Sequence, residues 1–170
     1  MPPSFGLKSN FKLGLGFGGH VRFASGLLLP KYLISNLTDE ELTWANIRYV
    51  SKRCQASLEA AYRRMSLEHT NPSAFIIHEH GQFKRFVASE NFDFYIEKSP
   101  LSSSQKDRVV DVDSEGYPED FEEDDAMDWV NPKSKYWRIC TIYSSSIMLK
   151  NGYSYTLLTY DDDCMEDAFQ

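Results

Sequence analysis

Residues 23–65 read FASGLLLPKYLISNLTDEELTWANIRYVSKRCQASLEAAYRRM. Two helix starts can be read in this stretch. Thr38 is an N-cap candidate with Glu41 three residues on as its capping-box partner, and Leu37 and Leu42 are spaced as a hydrophobic staple. Asp39 and Glu40 add acids to the first turn, where the helix dipole favours them. Leu42, Ala45 and Tyr49 then share one side, and Ile47, Val50 and Cys54 widen the apolar surface, with Cys54 read as a core residue. Ser57 is the second N-cap, and Leu58, Ala61, Tyr62 and Met65 form a narrower apolar stripe. The pattern predicts Leu42, Ile47, Leu58, Ala61, Tyr62 and Met65 buried, and Arg48, Glu59 and Arg63 exposed. Upstream, Phe23 and Leu27, with Ala24 and Leu28, repeat at i, i+4 and predict a helix over 21–29 that Pro30 ends.

Beyond Asn71-Pro72 the apolar period changes from helical to two. Residues 74–79 and 82–88 flank His80-Gly81 and read as a hairpin. Phe92, Phe94 and Ile96 alternate with Asp93, Tyr95 and Glu97, as in a half-buried strand. Residues 137–143 and 147–149 have strand composition. Asn151-Gly152 is a strong hairpin-turn signal before a strand over 153–160. Between these lies a polar, then strongly acidic segment without apolar period, read as a long solvated loop.

The expected fold is therefore α+β. A small helical N-terminal part, including a helix-turn-helix-like pair, packs with a mostly antiparallel β-sheet. The chain divides into a flexible glycine-rich stretch 1–20, a helical region 21–72, a mainly β region 73–163 with the acidic loop 102–128, and a tail 164–170. Residues 1–20 hold two prolines and most of the glycines. Gly14, Gly16 and Gly19 match GxGxxG in spelling, but no strand precedes them, and without a strand–turn–helix context the motif cannot cradle a pyrophosphate.

Charge is uneven along the 170 residues: +4 up to Ser73 and −11 from Ala74 onward. Only the first part could face nucleic acid, since the second would repel phosphate. No apolar run approaches the roughly 20 residues of a membrane span, and no long apolar leader region is visible, so neither a membrane partner nor secretion is expected. Three widely spaced cysteines, Cys54, Cys140 and Cys164, give neither a disulfide framework nor a CxxC metal pair. A reducing cytoplasmic location is the resulting expectation.

Phe23-Ala24-x-x-Leu27-Leu28-Leu29-Pro30, followed by a helix, a turn and Ser57-Leu58-Glu59-Ala60-Ala61-x-Arg63-Arg64, resembles the ImmA/IrrE family of zinc metallopeptidases. The strand pair of residues 74–92, the variable loop, Trp129 and the final Gly152-Tyr153-Ser154-Tyr155-Thr156-Leu157-Leu158 follow in the same order, so the likeness covers roughly residues 20–163. The family's active helix carries HExxH, which puts two zinc-binding imidazoles and a general base on one helix. No HExxH occurs here, and Gly18, Gly19 and His20 stand where the family has a further acidic ligand. The chain thus resembles the family's C-terminal portion without its catalytic helices, and no catalytic residue carries over. The resemblance implies a non-catalytic protein acting through protein contacts in bacterial, phage or plasmid regulation, with repressor-type transcription regulators as partners. An alternative is one half of a split zinc peptidase, whose HExxH lies on a separate catalytic chain. No cofactor is expected for the chain itself.

Three further constellations bear on function. His78 and His80 would share a face of one strand, as metal ligands or as a plain strand end. Asp111, Asp113, Glu115, Gly116 and Glu122 fall on EF-hand positions 1, 3, 5, 6 and 12, although Pro118 and a poor entering helix speak for a solvated acidic loop instead. Arg48, Lys52, Arg53, Arg63 and Arg64 would give the helix pair a DNA-binding face, or simply its solvent face.

Overall fold

The computed structural model describes Ile34, Leu37, residues 42–131, Lys133 and residues 140–161. The helix expected over 21–29, the glycine motif, the Thr38–Glu41 cap and the tail 164–170 lie outside the described residues.

Helix α1 spans Trp44–Cys54. Its N-cap is Thr43, whose hydroxyl accepts from the Asn46 amide, so the helix starts later than a cap at Thr38 would place it. Placing Trp44 in the first turn sends its indole to the sheet, where Nε1 donates to the carbonyl and hydroxyl of Ser145 at 3.2 and 3.1 Å. Gln55 ends the helix in the left-handed region (φ 52°). The Ser51 hydroxyl donates to the Ala56 carbonyl and closes the turn. Helix α2, Leu58–Met65, is capped by Ser57 as its sequence predicts. Ala61, Tyr62 and Met65 are buried, but Leu58 is only half-buried, against expectation. Leu58 is the first helical residue and packs at the edge of the core as a partly buried side chain.

The sheet contains β1 (Ser73–Glu79), β2 (Gln82–Ala88), β3 (Val110–Asp111), β4 (Glu122–Asp124), β5 (Ile142–Met148) and β6 (Tyr153–Tyr160). Its order is β2-β1-β6-β5-β3, with β4 also pairing β5. All pairs are antiparallel except β3 with β5. The His80-Gly81 and Asn151-Gly152 hairpins are present, and Gly152 adopts φ 79°. That left-handed backbone favours glycine, and a Cβ at this position would also displace the His80 ring.

Strand β1 is buried on both faces, which suits its near-continuous apolar sequence. On one face Phe75, Ile77, Ile147 and Leu157 pack against Trp44, Ile47, Val50, Tyr62 and Met65 of the helix pair. On the other, Ala74, Ile76, Ile142, Leu158 and Tyr160 meet Phe92, Phe94, Ile96, Leu101, Trp129 and Val130. The described residues therefore form three layers around an α+β core.

The segment 92–97 alternates as its sequence predicts, with Phe92, Phe94 and Ile96 buried, yet it forms no strand. Only Ile96 makes a bridge, to Val130. The segment lies across the sheet face and adds a layer to it. The acidic segment is not a long structureless loop. It contains the short helices α3 (Ser103–Asp107) and α4 (Ala126–Trp129) besides β3 and β4. Its Val112, Tyr117 and Phe121 pack on the helix-side core, apolar anchors hidden among acids.

Candidate protein-binding groove

The residues singled out by sequence do not gather into one site. His78 is buried, with Nε2 donating to the Ser99 carbonyl at 3.3 Å and its ring edge-on to Phe83 and Trp129. Its Nδ1 meets no hydrogen-bond partner. His80 lies past the strand end, exposed, with φ 51° and its ring over Gly152. The left-handed turn breaks the alternation on which a shared imidazole face depended. Burial depresses the basicity of His78, with a weaker opposing effect from the Ser99 carbonyl.

The EF-hand spacing folds as a turn and two strand ends. Asp111 is in β3 and caps the turn by accepting from the Asp113 amide. Asp113 pairs with Lys150, Glu115 is exposed, and Glu122 is held in the extended backbone of β4. Among the described residues no group of three or more His, Cys, Asp or Glu is placed to hold a metal ion.

The basic residues of the helix pair separate into two sets. Arg63 pairs with Glu59, and Arg64 is buried and pairs with Glu68. Glu59, contrary to its expected exposure, has a side chain only 17% exposed and also holds Arg85 of β2 at 2.6 Å. The Glu59–Arg85 pair ties α2 to β2. Arg48, Lys52 and Arg53 stay exposed on α1, with Arg48 stacked over the Tyr117 ring at 4.7 Å.

Sequence reading missed a concave site. A groove of about 440 Å³ lies where β6 ends and β1 begins. Leu42 and Leu157 underlie it on the helix side of the sheet, Phe121 and Tyr143 give it aromatic walls, and Glu119, Asp120 and Asp161 give it carboxylates. Pairing explains the assembly: Thr159 stands between Ser73 on β1 and Tyr143 on β5, so three consecutive strands present one row of side chains here. The Thr159 hydroxyl donates to the Pro72 carbonyl at 2.7 Å, and the Tyr62 hydroxyl donates to the Ser73 carbonyl at 2.9 Å, fixing the chain at the entrance to β1.

Among the described residues the groove is one-signed: its lining includes no Lys, Arg or His. Tyr143 donates to Asp161 at 3.3 Å, and the charge of Asp161 holds the phenol above its ordinary range. Glu119 and Asp120 are exposed and, among the described residues, enter no ion pair. The acidic loop owes its position to Phe121 and Tyr117, which dock on the core and leave Glu119 and Asp120 at the rim. The two aromatics that bracket Glu119-Asp120, Tyr117 and Phe121, were the sequence signal available for the loop's docking.

Cys140 is disulfide-bonded, whereas Cys54 is free and half-buried. No helix among the described residues is long and apolar enough to cross a membrane. No protein-family model matches the chain, and no curated protein matches it either.

Proposed function

We propose that this chain is a non-catalytic, ImmA/IrrE-like protein that acts through protein contacts in bacterial, phage or plasmid regulation. The groove at the end of β6 carries the reading. It joins aromatic walls to a polar rim, the composition of a surface that captures a side chain from another polypeptide. The absence of HExxH from the sequence supports a binding role over catalysis by the chain itself. The helix pair followed by an antiparallel sheet agrees in order with the resemblance that suggests the regulatory setting. The partner is a repressor-type regulator or a separate catalytic chain.

Position-specific photocrosslinking in the native host tests this. A crosslinker in place of Phe121 or Thr159 should capture a defined polypeptide, and one in place of the exposed Tyr95, outside the groove lining, should not. Equal capture from all three positions, or from none, would remove the groove from the function.

A further inference from the structure

We infer that the groove accepts an extended, cationic segment of a partner protein: one apolar side chain seated against the aromatic walls, with Lys or Arg beside it at the rim. This deepens the protein-contact reading above and rests on it. The argument is complementarity of charge and shape. Three carboxylates, Glu119, Asp120 and Asp161, line the groove, and among the described residues no basic side chain lines it. Among the described residues Asp161 accepts from the neutral Tyr143 hydroxyl, and Asp161, Glu119 and Asp120 enter no ion pair.

Five carboxylates outside the groove are matched: Glu59 with Arg63 and Arg85, Glu68 with Arg64, Glu79 with Lys84, Asp124 with Arg108, Asp113 with Lys150. The three that line the groove are not among them. Unmatched acids that border an apolar concavity repel one another, and a cation placed between them relieves that repulsion. The partly exposed Phe121 and Tyr143 give walls that a neighbouring methylene chain or leucine-like side chain can cover. An anionic or nucleic-acid ligand is disfavoured by the same charges.

The test uses the full chain and three short synthetic peptides: Leu flanked by Lys and Arg, the same with Glu in place of the bases, and the same with Gln. Binding is followed by fluorescence anisotropy. The basic peptide should bind, the Glu peptide should not, and raising salt from about 0.05 to about 0.5 M should weaken the complex. The double variant Glu119→Gln/Asp161→Asn should weaken it about three- to tenfold. The control Asp107→Asn/Glu115→Gln, an equal change of net charge at exposed sites outside the groove lining, should leave affinity unchanged. All four positions are exposed or at a rim, and circular dichroism verifies that each variant folds.

Equal weakening by both double variants would reduce the effect to net charge and overturn the proposal. Equal binding of the Gln and Lys/Arg peptides, abolished by the groove-filling Thr159→Arg, would overturn the cationic specificity while leaving the groove as the contact site. Residues 1–33 contain Lys8, Lys12, Arg22 and Lys31 and no acid. Binding that occurs only after these four are changed to Gln would assign the groove to the chain's own segment, and would also overturn the proposal.

Discussion

The indole N–H of Trp44 lies 3.1 Å from the hydroxyl and 3.2 Å from the carbonyl of Ser145, a hundred and one positions along the chain. The first residue of α1 is thereby fixed to the middle of β5. The ring also packs edge-on to Phe75 at 5.8 Å and against Tyr117 at 6.5 Å. Helix, sheet and acidic segment therefore meet on one side chain. Replacing Trp44 by Phe keeps most of the apolar contact and loses the donor. It should cost about 1–2 kcal/mol in urea unfolding, whereas Trp44→Ala should cost about 3–5 kcal/mol. Equal costs for the two would mean that the hydrogen bonds carry the stabilisation and the ring contacts add little.

Asp124 is the point at which the acidic segment is anchored. Its side chain is 2% exposed and accepts from Trp129 Nε1 and Ser144 Oγ, each at 2.6 Å, and pairs with Arg108 at 2.8 Å. Asp124→Ala removes a buried acceptor and leaves Trp129 and Ser144 without it. The expected loss is about 3–5 kcal/mol, with faster amide exchange across β4. A loss below about 0.5 kcal/mol would show that the segment holds its place without this carboxylate.

The helix pair separates two leucine-sized positions by burial. Met65→Ala should cost about 2–5 kcal/mol because Met65 is fully buried. Leu58→Ala, at a half-buried site, should cost less than about 2 kcal/mol. The reverse order would place Leu58 in the core.

Two groups give stability the same dependence on pH. His78 has its basicity depressed by burial, so its folded value lies below the ordinary 6.5. Its neutral form contributes in full above 6.5, and that contribution is lost as pH falls through the lower folded value. Burial pushes the Glu59 carboxyl up, but hydrogen bonds and charge from Arg85 and Arg63 outweigh it and hold the group below 4.5. Its contribution is complete above 4.5 and is lost as pH falls through that lower value. Stability should thus decline in two stages on acidification. His78→Leu should flatten the upper stage and leave the lower one, and an unchanged upper stage would assign it to another group.

How much of this was legible in the sequence depended on whether the signal was local. Ser57 caps α2 and Asn151-Gly152 turns the hairpin because both outcomes are decided within a few residues. The α1 start was misplaced because Thr38 and Thr43 are both competent caps, and the choice rests on Trp44 reaching Ser145, a contact no local pattern reveals. The 92–97 segment kept its alternation without a partner strand, since alternation records which side is covered and not what pairs with it. The acidic segment concealed Tyr117 and Phe121 among carboxylates, and charge density outweighed two apolar anchors in the reading. The groove was not legible because Ser73, Tyr143 and Thr159 come together only through strand register.

The most direct measurement of the central claim is chemical-shift mapping of the full, isotope-labelled chain during titration with the Lys/Arg-flanked Leu peptide. The account predicts that amides of Ser73, Phe121, Thr159 and Asp161 shift together and saturably, while those of Arg48, Lys52 and Arg53 on the outer face of α1 stay in place. Saturable shifts confined to α1, or none at the groove at saturating peptide, would contradict it.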